Sequence, residues 1–440
     1  MKTDKLLAII EEKITRSIST IQNEISANEQ NYGLKSGDSY TLGKVSIMKT
    51  AQFLWAISES NAYTQTTDLR YSLTQFLLSS INNTKYTNHW NRTFNVIFSL
   101  LALSHQNVDI RSNEYVGLVN KLIAAQQNGS WQYNINPQRQ TKGSVRATAF
   151  AIHALTTIIE KVGTNNAPFN QISHKIEDGI KWLFSVTSPE GLWGKKTKFH
   201  SDIYNTAEQF EAGIEINNWC VFSICYYMNT NRNYTLSESN KTKLNNAMKY
   251  LSSLDIQQLS NTVEIEPEEY YFGTVLKKHD YTSTGIVATI LATIEYQKLV
   301  SDKRVINLNL RNLIYQSTGK FLTEEKNGYW LDKNSNDYTH LWTICYALVA
   351  LTSIDHYIKQ DKSFLRNFVN IITSKISRSV NKIFKSKIIL SIIVMGIVVI
   401  VASIITKKFP DALSSYWTNF LLFLGILISA VGTIIGLVKK

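Results

Sequence analysis

Asn128-Gly129-Ser130-Trp131, directly preceded by Gln126-Gln127, is the stretch of this chain that decides its fold. The Gly-x-Trp pattern returns as Glu190-Gly191-Leu192-Trp193 and again as Asn327-Gly328-Tyr329-Trp330. Glycine permits a sharp reversal of the backbone, and the large indole can fill the gap between two adjacent helical hairpins. The loop therefore predicts a junction between repeated structural units.

Each of these loops is followed by a polar stretch and then by an apolar helix that contains alanine. The three predicted helices run from Arg146 to Leu155, from Asn217 to Met228 and from His340 to Leu351. Similar helices without a clean Gly-x-Trp loop are predicted for Val45 to Ser58, Trp90 to Ser104 and Thr282 to Glu295. The sequence thus contains six units at irregular intervals of roughly 45 to 75 residues.

The segment from Ala147 to Leu155 is apolar on nearly every face, so its helix must be surrounded by protein. Amphipathic segments such as Ile176 to Phe184 and Leu244 to Leu251 can form the surrounding layer. Six inner helices and about six outer ones that close on themselves predict an all-α fold, an α/α toroid over residues 41–361. Residues 1–40 are predicted to be an N-terminal helical segment.

On these loops and helices, residues 40–355 resemble the terpenoid cyclase and protein prenyltransferase toroid superfamily, whose repeats carry a Gln-x-x-(Asp)-Gly-x-Trp motif. The resemblance implies the toroid fold. Cyclases of this superfamily protonate their substrate with an Asp-x-Asp-Asp cluster, and this chain has no such cluster. The Asp-Asp-x-x-Asp metal motif of other terpene synthases is also missing. No catalytic residue is predicted.

The prenyltransferase β subunits hold catalytic zinc with an Asp-x-Cys pair and a later histidine. His279-Asp280-Tyr281-Thr282 looks like the first of these sites, and Asp337-Tyr338-Thr339-His340 looks like the second. Thr282 stands where the cysteine ligand should be, and loss of a thiolate argues against zinc. Asp280 and His340 are therefore only weak metal candidates, with helix capping or a polar network as the alternative. No cofactor is predicted.

The acidic run Glu264-Ile265-Glu266-Pro267-Glu268-Glu269 offers a second set of carboxylates that could hold a metal. A run of charge beside proline is usually a solvated segment. We therefore predict an exposed loop at these residues.

Parallel inner helices would bring their positive N-termini together at one mouth of the toroid, where an anion is favoured. Arg92 and Arg146 are the strongest candidates, because each begins an otherwise apolar inner helix. The aromatic residues in the same stretches could stack on a base or an isoprenoid; they are Trp90, Trp219, Tyr281 and Trp342. The alternative is that the aromatic residues are ordinary core and that the charges form a solvated rim. The predicted ligand-binding residues are Lys44, Arg92, Arg146, Asn218, Lys278, His279, Tyr281, His340 and Trp342.

Two apolar runs without a charged residue, Ile388 to Thr406 and Tyr416 to Val438, follow the predicted toroid. A helix rises about 1.5 Å per residue, so either run can cross the roughly 30 Å hydrocarbon core of a bilayer. The turn between them contains Pro410, which stops a helix. Residues 388–440 are therefore predicted to be a two-helix transmembrane hairpin, with a buried hairpin in a soluble core as the alternative.

The charge distribution predicts the orientation of this hairpin. Residues 362–440 hold eleven Lys or Arg and one acidic residue, so they supply +10 of the formal net charge of +12. Most of these basic residues flank the two spans rather than the turn, which predicts that both termini and the toroid are cytoplasmic. Three cysteines fit a reducing compartment. The predicted location is the bacterial inner membrane.

Residues 362–387 are predicted to form a basic amphipathic stem between toroid and hairpin. Apolar residues recur in steps of three or four from Leu365 to Ile383, which traces one helix face. In the second span, a stripe of small residues would let helices approach closely, either within the hairpin or between subunits. This stripe comprises Gly425, Ser429, Gly432 and Gly436.

A soluble ligand domain followed by a two-helix membrane hairpin resembles the effector subunits of bacterial anti-phage systems. The resemblance implies a cytosolic toroid that senses an anionic ligand and gates an oligomeric channel or pore. The ligand would be a nucleotide, a short oligonucleotide or another anionic small molecule. Its partners would be the lipid bilayer, further copies of the chain and a nucleotide-synthesising enzyme. The alternative is a membrane-docked enzyme, similar to a prenyltransferase or terpene cyclase, that acts on a prenyl diphosphate.

Overall fold

A computed structural model describes residues 3–22, 25–28, 31–34, 46–60, 67–135, 143–163, 168–196, 210–211, 214–254, 263–270, 273–280, 282–301, 308–323, 325–326, 329–330 and 344–360. Met1–Lys359 form one compact unit, and Gln360–Lys440 form a second. Every described residue except Gln360 belongs to the first unit.

Twelve helices lie within the described ranges. In chain order they are α1 (Thr3–Gln22), α2 (Ile47–Glu59), α3 (Thr67–Ile81), α4 (Thr93–Ser104), α5 (Asn113–Ala124), α6 (Val145–Val162), α7 (Ile172–Ser185), α8 (Ile214–Thr230), α9 (Glu238–Ser253), α10 (Thr282–Ser301), α11 (Leu308–Thr323) and α12 (residues 344–360). The even-numbered members, called the inner helices below, correspond to the predicted apolar helices.

The inner helices form a closed ring. Each of α2, α4, α6 and α8 packs against the next inner helix in the chain. Ser60, directly after α2, shares a 3.0 Å hydrogen bond with Thr352 of α12. On the other side of α12, the Tyr357 hydroxyl donates to Gln297 of α10 over 3.1 Å. Because α12 contacts both the first and the fifth members, the ring is complete and the predicted toroid is confirmed.

The odd-numbered helices form the outer layer. Helices α3, α5, α7, α9 and α11 each pack against the inner helix that precedes them. Helix α1 buries Ile10 and Ile14 in the same hydrophobic core, with neither side chain exposed. Its Glu11 lies 3.8 Å from Lys359 of α12. These contacts place α1 against α12, as the sixth outer helix.

Short antiparallel ribbons connect some of the described helices. They are β1–β2 (Ile25–Asn28 and Asn31–Leu34), β3–β4 (Lys195–Lys196 and Phe210–Glu211), β5–β6 (Val263–Tyr270 and Gly273–Asp280) and β7–β8 (Glu325–Lys326 and Tyr329–Trp330). The acidic run at 264–269 lies in β5, so its assignment as a loop was wrong. Pairing along the whole of β6 outweighs the low strand propensity of Glu and of Pro267.

The two Gly-x-Trp loops that the structure describes in full, at 128–131 and 190–193, join neighbouring hairpins as predicted, whereas residues 327–328 of the third lie outside the described residues. Gly129 and Gly191 have φ angles of +83° and +89°, which a residue with a Cβ rarely adopts. The Trp131 indole donates to the carbonyl of Leu122 over 2.7 Å. The Trp193 indole donates to the carbonyl of Leu183 over 2.9 Å. Each acceptor lies in the last turn of an outer helix, where backbone carbonyls lack intrahelical partners.

A third junction has the same geometry without the sequence motif. The Trp90 indole is buried and donates to the carbonyl of Ser80, near the end of α3, over 2.9 Å. Trp90 is therefore a core residue that ties a hairpin together, as the alternative interpretation of the aromatic residues anticipated.

Among the described residues, no helix is both long enough and apolar enough to span a bilayer. The two predicted membrane spans, the predicted stem and the stripe of small residues all lie outside the residues that the structure describes.

Candidate functional site

Aromatic side chains fill the centre of the toroid. Ring centroids are 6.1 Å apart for Trp55 and Phe98, 5.5 Å for Phe98 and Phe150, and 4.6 Å for Phe150 and Trp219. Tyr346 of α12 lies between 5.3 and 6.3 Å from all four of the other rings. We call these five residues the aromatic plug. Contacts join the ends of α2 and α4 (Glu59 and His105), the starts of α6 and α8 (Arg146 and Glu215) and the ends of α8 and α10 (Asn229 and Glu295). The inner helices therefore run parallel, and their N-termini share one end of the toroid.

A buried ion pair lies at that end. Arg146 Nη2 of α6 is 2.5 Å from Glu215 Oε2 of α8, and the two side chains are only 11% and 3% exposed. Both residues lie in the first turn of their helices, where the helix dipole favours the carboxylate. Arg146 therefore already has an anionic partner in this structure.

The ion pair lies above the aromatic plug. Burial, and next the Glu215 charge, raise the pKa of Tyr346 well above its ordinary value, so its hydroxyl stays protonated at neutral pH. Arg146 opposes this effect, and Gln52 of α2 hydrogen-bonds to the same hydroxyl. Tyr346 thus connects the plug to the charged pair.

Two asparagines on α8 extend the polar region. Asn217 accepts a hydrogen bond from the backbone of Trp193 over 3.2 Å, and Asn218 donates to Thr289 of α10 over 2.6 Å. Neither asparagine is exposed, and within the described residues Asn217 Nδ2 and Asn218 Oδ1 have no hydrogen-bond partner. Gln52 Oε1 is also buried without a hydrogen-bond partner among the described residues. Buried polar atoms are normally paired, so this region is suited to a polar ligand.

We call Gln52, Arg146, Glu215, Asn217 and Asn218 the mouth cluster. Two of the predicted ligand-binding residues, Arg146 and Asn218, belong to it. Sequence reasoning missed Glu215 and Gln52. The sequence did offer a signal for Glu215: it is a carboxylate in the first turn of an apolar helix, and such a group needs a partner when it is buried.

The other predicted residues have different positions. Arg92 is the exposed N-cap residue of α4, and its backbone forms an isolated bridge with Asn134. Lys278, His279 and the weak metal candidate Asp280 end strand β6, just before α10 begins. The remaining candidates lie outside the described residues; they are Lys44, Tyr281, His340 and Trp342.

A second polar group lies towards the C-terminal ends of the inner helices. Glu59 Oε1 is 3.1 Å from His105 Nε2. Burial alone would raise the pKa of Glu59, but His105 lowers it to about 2. Burial lowers the pKa of His153 to about 3, so this imidazole is neutral. Within the described residues, no three His, Cys, Asp or Glu side chains are arranged to hold a metal ion.

Comparison with solved structures supports the fold class. The toroid is similar to cellobiose 2-epimerase from Spirochaeta thermophila, with a TM-score of 0.57 and 10% identity over 82% of this chain and 99% of that one. Dfg5 from Chaetomium thermophilum, in complex with glucosamine, has a TM-score of 0.53 and 11% identity over 80% and 90%. The α-1,6-mannanase of Salegentibacter has a TM-score of 0.52 and 11% identity over 79% and 99%.

These likenesses define the chain as an α/α toroid and, at such low identity, show the fold alone. They confirm the toroid part of the predicted resemblance. No protein-family sequence profile matches the chain, and no curated protein matches it.

Proposed function

We propose that the protein is a ligand-controlled membrane effector of bacterial anti-phage defence. Its cytoplasmic toroid binds an anionic ligand, a nucleotide or a short oligonucleotide, and controls the two-helix hairpin at residues 388–440. The observation that carries this proposal is the mouth cluster, where a buried guanidinium and amide atoms without partners lie at the end where parallel inner helices begin.

An anion is the ligand class that this end favours. Backbone N–H groups in the first turn of each inner helix have no intrahelical acceptor, and the helix dipoles add positive potential there. The Arg146 guanidinium can pair with phosphate as readily as with a carboxylate. A bound phosphate would compete with Glu215 for Arg146, and the displaced carboxylate would change the environment of Tyr346.

Tyr346 would connect the displacement of Glu215 by phosphate to the C-terminal part of the chain. It belongs to α12, the last helix before the predicted stem at 362–387. In this proposal α12 has two arrangements, and each favours a different state of the membrane assembly. A ligand changes the balance between them only to the extent that it binds one arrangement more tightly than the other. The small residues of the second span would support close packing in a homo-oligomer in the inner membrane, and a nucleotide-synthesising enzyme would supply the ligand.

Dye-loaded liposomes that contain the full chain test the proposal. We expect leakage to change when linear or cyclic oligonucleotides are added. Arg92→Glu, at the exposed start of α4, should weaken the response without unfolding the toroid. Replacement of both Gly432 and Gly436 by Leu should abolish leakage while leaving ligand binding intact. Vesicles that stay tight under every condition, but turn over a prenyl diphosphate, would overturn the proposal in favour of the enzymatic alternative.

A further inference from the structure

The orientation of the Asn218 amide in the mouth cluster is fixed by its neighbour on α10. Asn218 Nδ2 donates to Thr289 Oγ1 over 2.6 Å. The Thr289 hydroxyl already donates its own proton to the carbonyl of Gly285 over 2.8 Å, so towards Asn218 it can only accept. Asn218 Oδ1, an acceptor, is therefore the atom that is left without a partner among the described residues.

The orientation of the Gln52 amide is fixed by Tyr346. Burial, and next the Glu215 charge, raise the pKa of Tyr346, whereas the hydrogen bond from Gln52 lowers it. Only a donor has this lowering effect, because an N–H group stabilises the phenolate. The amide nitrogen of Gln52 therefore faces Tyr346, and Gln52 Oε1 is a second buried acceptor that no described residue pairs.

Trp219 adds a buried donor to these two acceptors. It lies four residues after Glu215 and one after Asn218 on α8, and its ring centroid is 5.3 Å from that of Tyr346. The indoles at the hairpin junctions donate to helix carbonyls. Trp219 Nε1, by contrast, is buried and has no acceptor in the part of the chain that the structure describes.

A phosphate alone does not account for these atoms. Arg146 and the Asn217 Nδ2 group are donors, and they suit the acceptor oxygens of a phosphate. The carbonyl oxygens of Gln52 and Asn218 are acceptors themselves, so they need a ligand that also carries N–H or O–H groups. An acceptor that stays buried and unpaired costs free energy, which such a ligand would offset.

The two acceptors and the indole donor are the complement of an amino group beside a ring nitrogen. An exocyclic amino group has two N–H donors, one for each carbonyl oxygen, and the adjacent ring nitrogen accepts from the indole. Adenine and cytosine carry this arrangement. Hypoxanthine and uracil carry a carbonyl oxygen and an N–H group instead, which reverses both polarities.

We propose that the anion at the mouth cluster is a nucleotide whose base carries an amino group beside a ring nitrogen, adenine or cytosine. The amino group donates to Gln52 Oε1 and Asn218 Oδ1, and the ring nitrogen accepts from Trp219 Nε1. The phosphate pairs with Arg146 as in the proposed function, on which this inference rests. Gln52, Asn218 and Trp219 thus determine which base is bound, whereas Arg146 provides the preference for an anion.

Isothermal titration of the detergent-solubilised full chain with AMP, IMP and inorganic phosphate tests this inference. IMP has a carbonyl oxygen in place of the amino group of AMP, and an N–H group in place of its ring nitrogen. We expect AMP to bind at least about tenfold more tightly than IMP, because a site built to hydrogen-bond one group rejects an analogue that lacks it. Inorganic phosphate should compete with AMP.

Trp219→Phe removes the indole N–H group and keeps an aromatic ring beside Phe150 and Tyr346. It should weaken AMP binding about fivefold, as expected for the loss of one neutral hydrogen bond. IMP should bind the variant no more weakly than the wild type, because its own N–H group no longer meets a second donor. A purely structural role of Trp219 would weaken both nucleotides equally. Trp182→Phe, on outer helix α7, is the matched control and should leave the ratio of the two affinities unchanged.

The outcomes separate this inference from the proposed function. Equal affinities for AMP and IMP, with inorganic phosphate still competing, would overturn base recognition and leave the anion site in place. A Trp219→Phe chain with an unchanged melting temperature and the wild-type ratio of affinities would do the same. Failure of AMP, IMP and phosphate to bind the wild type would overturn both proposals.

Discussion

The Arg146–Glu215 pair illustrates how burial determines the effect of one ion pair on the stability of the fold. Exposed ion pairs contribute little to stability, whereas loss of one partner from a buried pair leaves a charge without compensation. With side chains 11% and 3% exposed, Arg146 and Glu215 belong to the second kind. We expect the pair to fix the register of α6 against α8 as much as it adds net stability.

Removal of Arg146 alone should therefore destabilise the toroid strongly. We expect Arg146→Met to lower the free energy of unfolding by about 3–5 kcal/mol, because Glu215 is left buried and unpaired. The double variant Arg146→Met/Glu215→Met should recover most of this loss. Lys241→Met breaks the exposed pair between Lys241 and Glu238 on α9, so it should change the free energy of unfolding by less than about 1 kcal/mol. Chemical denaturation measures all three, and a double variant as unstable as the single one would contradict the argument.

His153 predicts how stability depends on pH. Its pKa is about 3 in the folded toroid and has an ordinary value of 6.5, so the unfolded chain binds more protons between these values. Stability should consequently fall as the pH drops from 6.5 towards 3, by roughly 2 kcal/mol at pH 5. His153→Phe, whose ring suits the aromatic neighbours Phe222 and Tyr226, should remove this loss. His174→Gln, at an exposed position on α7, should keep it.

At the scale of an element, the junction loops depend on backbone shape more than on side-chain chemistry. A Cβ at Gly191 would lie 2.7 Å from Lys243 Cα, in addition to the strain of its positive φ. A Cβ at Gly117, in the middle of α5, would meet nothing within 4 Å. Substitution by alanine should therefore lower the stability of the toroid at Gly191 and raise it at Gly117.

We expect Gly191→Ala to destabilise the toroid by about 1–3 kcal/mol, since a residue with a Cβ is strained at this φ and must displace backbone. Gly117→Ala should stabilise it by about 0.5–1 kcal/mol, because alanine is the better helix former. Thermal unfolding of both variants checks the pair. If Gly191→Ala proved neutral, the tight approach of the loop to α9 would be refuted.

The elements that sequence analysis predicted are those whose pattern is local. Continuous apolar character marked the inner helices, and Gly-x-Trp marked two of the described junctions. Trp90 performs the same task without a neighbouring glycine, so only its indole bond to Ser80 reveals the junction. The extended acidic strand β5 was missed because its conformation depends on pairing with β6, not on its own composition.

The candidate site was predictable only in part, for a related reason. Arg146 was identified because a charge at the start of an apolar helix is conspicuous. Its partner Glu215 is 69 residues away, and nothing local connects the two. Gln52 joins the same cluster from α2. Such a cluster exists only once the ring has closed, so its membership is a property of the tertiary structure.

At the scale of the whole toroid, closure depends on a helix from the opposite end of the chain. Each inner helix from α2 to α10 is covered by the outer helix that follows it. The last one, α12, instead meets α1, which contributes Leu7, Ile10 and Ile14 to the common core. The two ends of the described chain thus meet, and α1 completes the outer layer of helices beside α12.

This arrangement predicts that α1 is indispensable to the fold. Ile14 is completely buried, so Ile14→Asp would place a carboxylate in the core without a partner and should cost more than about 4 kcal/mol. Glu11→Gln lies one turn away and removes only an exposed contact with Lys359, so it should cost less than about 1 kcal/mol. Hydrogen exchange locates the damage. Loss of protection in α2 and α10, on both sides of α12, is expected if closure fails, whereas loss confined to α1 would mean that the ring closes without it.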